Sequence, residues 1–134
     1  MKSVPVMAAL VAGIAIGMLG TQILNAQPGI KRALLQKVDV AGVEGREVVL
    51  GTAEVPPGMA AGRHYHHGQE IGYLLEGTAV MEVQGKPPLT LKAGDSYQIE
   101  AGAPHDALNT GSTPAKVLAV YIVEKGKPLA VSVP

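Results

Sequence analysis

The sequence predicts an all-β single domain behind an apolar N-terminal segment, and three observations predict it. Short runs rich in Val, Leu, Ile, Thr and Tyr succeed one another between turn residues, with no long helical periodicity. The 134 residues suffice for one domain and not two. Lys2 is followed by an uncharged stretch from Ser3 to Asn25, apolar from Val4 to Leu19, which is the pattern of a secretory signal peptide.

Taken in order, residues 1–26 read as that leader, with cleavage expected after Ala26 and the mature domain running over 27–134. Leu24 is bulky for the position three before the cut. The rival reading is an uncleaved anchor over residues 4–24, long enough to approach a bilayer span of about 20 residues, with Gly13 and Gly17 spaced to pack two helices. Either way the domain is expected outside the cytoplasm, periplasmic or secreted. With no Cys there is neither a lipoprotein anchor nor a disulfide, and with no twin arginine the metal is expected to be loaded after export.

Strands are expected at Leu34–Val40, Glu47–Val55, Arg63–His67, Glu70–Leu75, Thr78–Gln84, Leu89–Lys92, Ser96–Ile99, His105–Asn109 and Lys116–Val123. Pro56-Pro57-Gly58 and Gly85-Lys86-Pro87-Pro88 are turns. The near-continuous apolarity of Val117 to Val123 predicts burial on both faces, inside the fold or at a dimer interface. Glu124 to Pro134, with one Gly and two Pro, reads as a surface tail.

Eleven basic residues balance eleven acidic ones, so neither nucleic acid nor an acidic membrane surface is an expected partner. Phe and Trp are absent, so a pocket here offers few flat rings and favours a small or aliphatic ligand.

All four histidines fall in two segments, Gly58 to Glu70 and Gly94 to His105. His64 and His66 are two apart, which on a strand puts both rings on one face. A Gly-containing turn at His67-Gly68-Gln69 swings Glu70 toward them, and Gly102 and Pro104 aim His105 at the same point. Three imidazoles and a carboxylate suit one divalent Fe, Mn, Ni, Co, Cu or Zn ion, with two positions of an octahedral shell left open. Affinity order after export favours Cu or Zn. His67, Tyr65, Arg63 and Asp106 alternate away from that point, and His67 is not a ligand. Gly58, Gly77 and Gly94 supply positive-φ turns. Asn109 serves either the pocket or the backbone. Glu76, Glu82 and Glu100 read as solvated charges.

The first segment matches the first motif of the cupin superfamily, G-x5-H-x-H-x3-E-x6-G, at Gly58, His64, His66, Glu70 and Gly77. The second resembles the second motif, G-x5-P-x-G-x2-H-x3-N, at Gly94, Gly102, His105 and Asn109, with Glu100 where the motif has Pro. That departure is expected to loosen the turn before Gly102. The sequence thus resembles a small single-domain cupin. The resemblance implies a jelly-roll-like β-barrel with a metal held inside by His64, His66, Glu70 and His105, a small-molecule ligand, and a homodimer. Among enzymes it implies oxygenase (dioxygenase-type) or related chemistry on a small organic acid or carbonyl compound, where Glu70 doubles as a base if it dissociates. The alternative is a non-catalytic metal- or ligand-binding or structural barrel, and no further acid, base or nucleophile in the sequence chooses between them.

Overall fold

A computed structural model describes residues 29–134. The expected leader or anchor over 1–26 lies outside the described residues.

Ten strands form two five-stranded antiparallel sheets. They are β1 (Lys31–Asp39), β2 (Arg46–Val55), β3 (His64–Tyr65), β4 (Gly68–Glu76), β5 (Thr78–Val83), β6 (Leu89–Lys92), β7 (Ser96–Ile99), β8 (His105–Leu108), β9 (Ala115–Glu124) and β10 (Val131–Ser132). The first sheet runs β1-β2-β9-β4-β7 and the second β10-β3-β8-β5-β6. The described residues contain no helix.

The core between the sheets is built from alternate positions of the strands. Leu74 of β4, Ala79 and Met81 of β5, Leu91 of β6, Tyr97 and Ile99 of β7, and Ala115, Val117 and Ala119 of β9 form one buried cluster. Period-two burial is what a sheet with one packed face requires. Gly77 turns the chain from β4 into β5 at φ +77°, and a Cβ there would meet the Pro114 carbonyl, so only glycine fits.

The structure corrects the expected elements in five places. β1 starts three residues earlier than expected and carries a bulge between Leu34 and Gln36. β3 has two residues instead of five, so His66 and His67 lie in the link to β4. Gly68 opens β4 rather than making a turn, because it pairs with Val123, where a Cβ would strike the Ile122 carbonyl. Within this chain β9 buries one face, with Ala115, Val117, Ala119 and Val123 inside and Ile122 exposed, so burial of both faces inside the fold is not what forms. The tail is not merely surface chain, since Val131 and Ser132 pair with Tyr65 and His64.

Candidate metal centre

The centre lies between the sheets. His64 of β3 stands opposite His105 of β8 in the second sheet. Glu70 of β4 stands between Ile99 of β7 and Tyr121 of β9 in the first. His66 sits in the link that carries the chain from one sheet to the other. The three imidazoles bring their ligating nitrogens within 4.8 Å of one another. Glu70 Oε2 lies 3.1 Å from the Nε2 atoms of His66 and His105. All four residues singled out in the sequence therefore converge, and His67 stays out, its ring against Tyr65.

Each ring is oriented by backbone. Nδ1 of His64 donates to the Gly62 carbonyl at 2.6 Å, Nδ1 of His66 to the Leu129 carbonyl at 2.6 Å, and Nδ1 of His105 to the Ala103 carbonyl at 2.9 Å. A carbonyl only accepts, so each Nδ1 carries a proton and Nε2 is the atom left to ligate; at His105 that Nε2 also donates to Glu70 Oε2 at 3.1 Å, a proton that a bound cation would displace. The turn before His105 holds without the motif proline: Ala103 N donates to the Glu100 carbonyl, and Gly102 N donates to the carbonyl of His66.

The electrostatics follow from burial. Burial lowers the His64 ring to about 4, against the help of the Gly62 carbonyl, so it stays neutral. Burial alone would raise the Glu70 carboxyl, but His105 and His66 outweigh it and hold Glu70 well below the usual carboxylate range. Burial likewise lowers His105, and the Glu70 carboxylate more than reverses that. Tyr97 donates its hydroxyl to Glu70 Oε1 at 2.7 Å. Burial first, then the Glu70 charge, pushes the Tyr97 and Tyr121 hydroxyls far up, so both remain neutral.

Does a divalent metal fit? Nε2 of His66 is buried and has no hydrogen-bond partner, since the nearby Glu70 oxygen is out of line for one. A lone pair stranded in a low-dielectric interior is costly, and three stranded or convergent nitrogens beside an anion are a donor set for a cation. The residues fit.

Several contributors escaped the sequence reading. Tyr97 reaches Glu70 across Gly72, where any Cβ would fall onto the Tyr97 ring. Tyr121 packs on the His66 ring at a centroid distance of 4.7 Å. Arg32 lies on the inner face opposite Ala53 and donates to the Ala61 carbonyl at 3.0 Å. Only the glycine, two residues after Glu70, left a trace: a glycine inside a strand marks a close approach. Asn109 proves structural, donating to the Val55 and Thr113 carbonyls and accepting from Gly111 N. Glu76, Glu82 and Glu100 are exposed, Glu100 facing Lys86.

The chain is similar to known proteins. The "Oxalate-binding protein" of Thermotoga maritima is 41% identical over 71 residues, 52% of this chain and 58% of that protein. The HTH-type transcriptional regulator PuuR of Escherichia coli is 38% identical over 66 residues, 48% of this chain and 35% of the regulator. The chain thus spans well under two thirds of the curated relatives it matches. The crystal structure of a predicted oxalate decarboxylase from T. maritima superposes with a TM-score of 0.58 at 34% identity, covering 70% of this chain and 80% of that one. A double-stranded β-helix protein from Klebsiella pneumoniae, at 21% identity, covers 84% and 91% with a TM-score of 0.62 and supports the fold alone. The family described as "Cupin domain" matches residues 51–121, a span that holds both histidine segments and most of the sandwich. The chain belongs to the cupin family.

Proposed function

We propose that the protein binds a small organic acid at a single divalent metal held by His64, His66, Glu70 and His105. The observation that carries this is the stranded Nε2 of His66 inside a cluster whose three Nδ1 protons are spent on backbone carbonyls. The relatives named for oxalate support a short carboxylate as the ligand. So does the pocket's lack of Phe and Trp.

When bound, the ion supplies a Lewis-acidic centre with positions open to ligand. The chain's own residues do the rest. Gly62, Leu129 and Ala103 fix the imidazole tautomers. Tyr97 holds one Glu70 oxygen and so aims the other at the histidines. Leu74, Ile99 and Ala119 exclude water behind the site.

Turnover belongs to a second reading, oxygenase-type chemistry with Glu70 as the proton acceptor. Held among the imidazoles Glu70 is a weak base, so this reading requires the carboxylate to leave them first. Export through residues 1–26, or anchoring by 4–24, and a homodimer using the exposed Ile71, Tyr73 and Ile122 of the first sheet belong to the same proposal.

The test is elemental analysis of the full chain purified from its host, followed by calorimetric titration with oxalate. About one Fe, Mn, Cu, Ni or Zn ion per chain, required for oxalate binding, is the expected result. A chain that carries no metal and binds Ni2+ or Zn2+ no better than the His64→Ala/His105→Ala variant refutes the proposal.

A further inference from the structure

The segment that follows β9 does more than end a strand. β9 closes in the first sheet at Glu124. Lys125 N then donates to the Gly45 carbonyl, and Gly126 turns at φ +79°. The chain crosses to the second sheet, where Val131 pairs with Tyr65, Ser132 pairs with His64, and Val133 N donates to the Arg63 carbonyl at 3.1 Å.

Its partner, β3, is the weakest element near the site. It is two residues long, and on its other side it meets β8 through a single register pair, His64 opposite His105. Without β10 it would be a short open edge. Three residues before His64 and directly after His66 the chain is irregular, so strand pairing alone fixes neither ring.

On the way to β10 the segment passes its Leu129 carbonyl 2.6 Å from Nδ1 of His66. His66 is the ring whose Nε2 has no hydrogen-bond partner. The Tyr121, His64 and His105 rings pack against it, and its own carbonyl accepts from Gly102 N. None of these distinguishes Nδ1–H from Nε2–H. Glu70 Oε2, 3.1 Å from Nε2 but making no hydrogen bond to it, favours a proton on Nε2. The acceptor that opposes it at Nδ1 comes from residue 129, 63 positions away.

From this geometry we infer that residues 128–134 are a positioning strap for the metal centre: the Leu129 carbonyl sets the tautomer and direction of His66 while β10 holds the strand that carries His64. Leu129 is a positioning residue and acts through His66, and the inference rests on reading His66 as a ligand. Partners of this kind govern metal affinity by about 10–100-fold.

Two full-domain variants test it. One chain stops after Lys127. The other keeps every side chain and replaces only the Leu129–Ala130 amide with an ester, which makes the Leu129 carbonyl a weaker acceptor. Long-range 1H–15N spectra of the metal-free protein at pH 8 read the His66 tautomer, and Co2+ titration reads affinity and the visible spectrum of the bound ion. The expected result is His66 held as Nδ1–H in the parent chain and mixed in both variants. Co2+ affinity should fall at least about tenfold in the shortened chain and less in the ester, with the ester's thermal midpoint unmoved. A His66 that stays Nδ1–H in the ester variant, with unchanged Co2+ affinity and spectrum, overturns the assignment. If the shortened chain does not fold, the ester decides alone. A parent chain that does not bind Co2+ defeats the proposed function, and the tautomer measurement still decides the strap.

Discussion

The two faces of β4 reverse the usual sorting of residues. Facing in are Gly68, Glu70, Gly72 and Leu74, with Glu70 4% exposed. Facing out are Ile71 at 48% and Tyr73 at 46%, with Ile122 of β9 beside them also exposed. Apolarity alone would turn this strand over, and a one-residue slip would do it. The slip is blocked from the inside. Glu70 finds Tyr97, His66 and His105 there, and the two glycines are the only residues that fit against β9 and Tyr97. The inner face is therefore specified by chemistry and close approach, and the outer face carries no such constraint. In a strand that serves a site, hydrophobicity is a poor guide to which side is in.

The sharpest way to break the comparison is to remove the inner ligands. The His64→Ala/His105→Ala protein should fold and retain no stoichiometric metal by elemental analysis, whereas Ile71→Lys should retain all of it. Next in size, Gly72→Val sets a side chain where the Tyr97 ring lies and should cost about 3 kcal/mol or more in urea unfolding. A loss under about 1 kcal/mol would mean that Tyr97 does not rest there.

Acid acts on the inner face as well. In the metal-free protein His64 stays neutral down to about 4, while the unfolded chain takes up that proton near 6.5. The folded state thus binds fewer protons across this window, and stability falls with pH from about 7 to 4, by about 3 kcal/mol from this residue. His105, raised by Glu70, works in the opposite sense. A His64→Gln variant should lose the first slope and keep the second, and parallel curves for the two proteins would refute the assignment.

Smaller again is Tyr97→Phe, which deletes a hydrogen bond to a buried carboxylate and should cost about 2 kcal/mol. The smallest effect belongs outside. Tyr73→Ser should change the stability of an isolated chain by no more than about 0.5 kcal/mol. A larger, concentration-dependent loss in sedimentation and urea experiments would show that a second copy covers the face.

How much of this was legible in the sequence depended on whether the information was local. The convergence of His64, His66, Glu70 and His105 was legible because two spacings carry it. The reason offered for His66 was wrong in detail: it is not on a strand with His64, and its direction comes from Leu129. Gly68 looked like a turn because a glycine between polar residues usually is one, and only the register with Val123 shows otherwise. β10 could not be seen, since two residues between Pro128 and Pro134 show no alternation and pair with β3 only once the sheets close. Tyr97 and Leu129 are 27 and 63 positions from the groups they bind, beyond the reach of any local pattern. The apolar run in β9 predicts burial on both faces, yet apolarity alone does not say whether the far side of the sheet is covered.

One consequence concerns a chain with no cysteine. Glu70 belongs to one sheet, His64 and His105 to the other, and His66 to the link between them. An ion held by all four would be a cross-link. It would close a loop of about 40 residues between His66 and His105, a constraint that in a disulfide removes about 4 kcal/mol of unfolded-state entropy. Unlike a disulfide it would form and release with metal supply and without any redox chemistry. The unfolding rate of such a domain would then be set by how fast the ion leaves, so a chelator would act on it as a reducing agent acts on a disulfide-bonded protein.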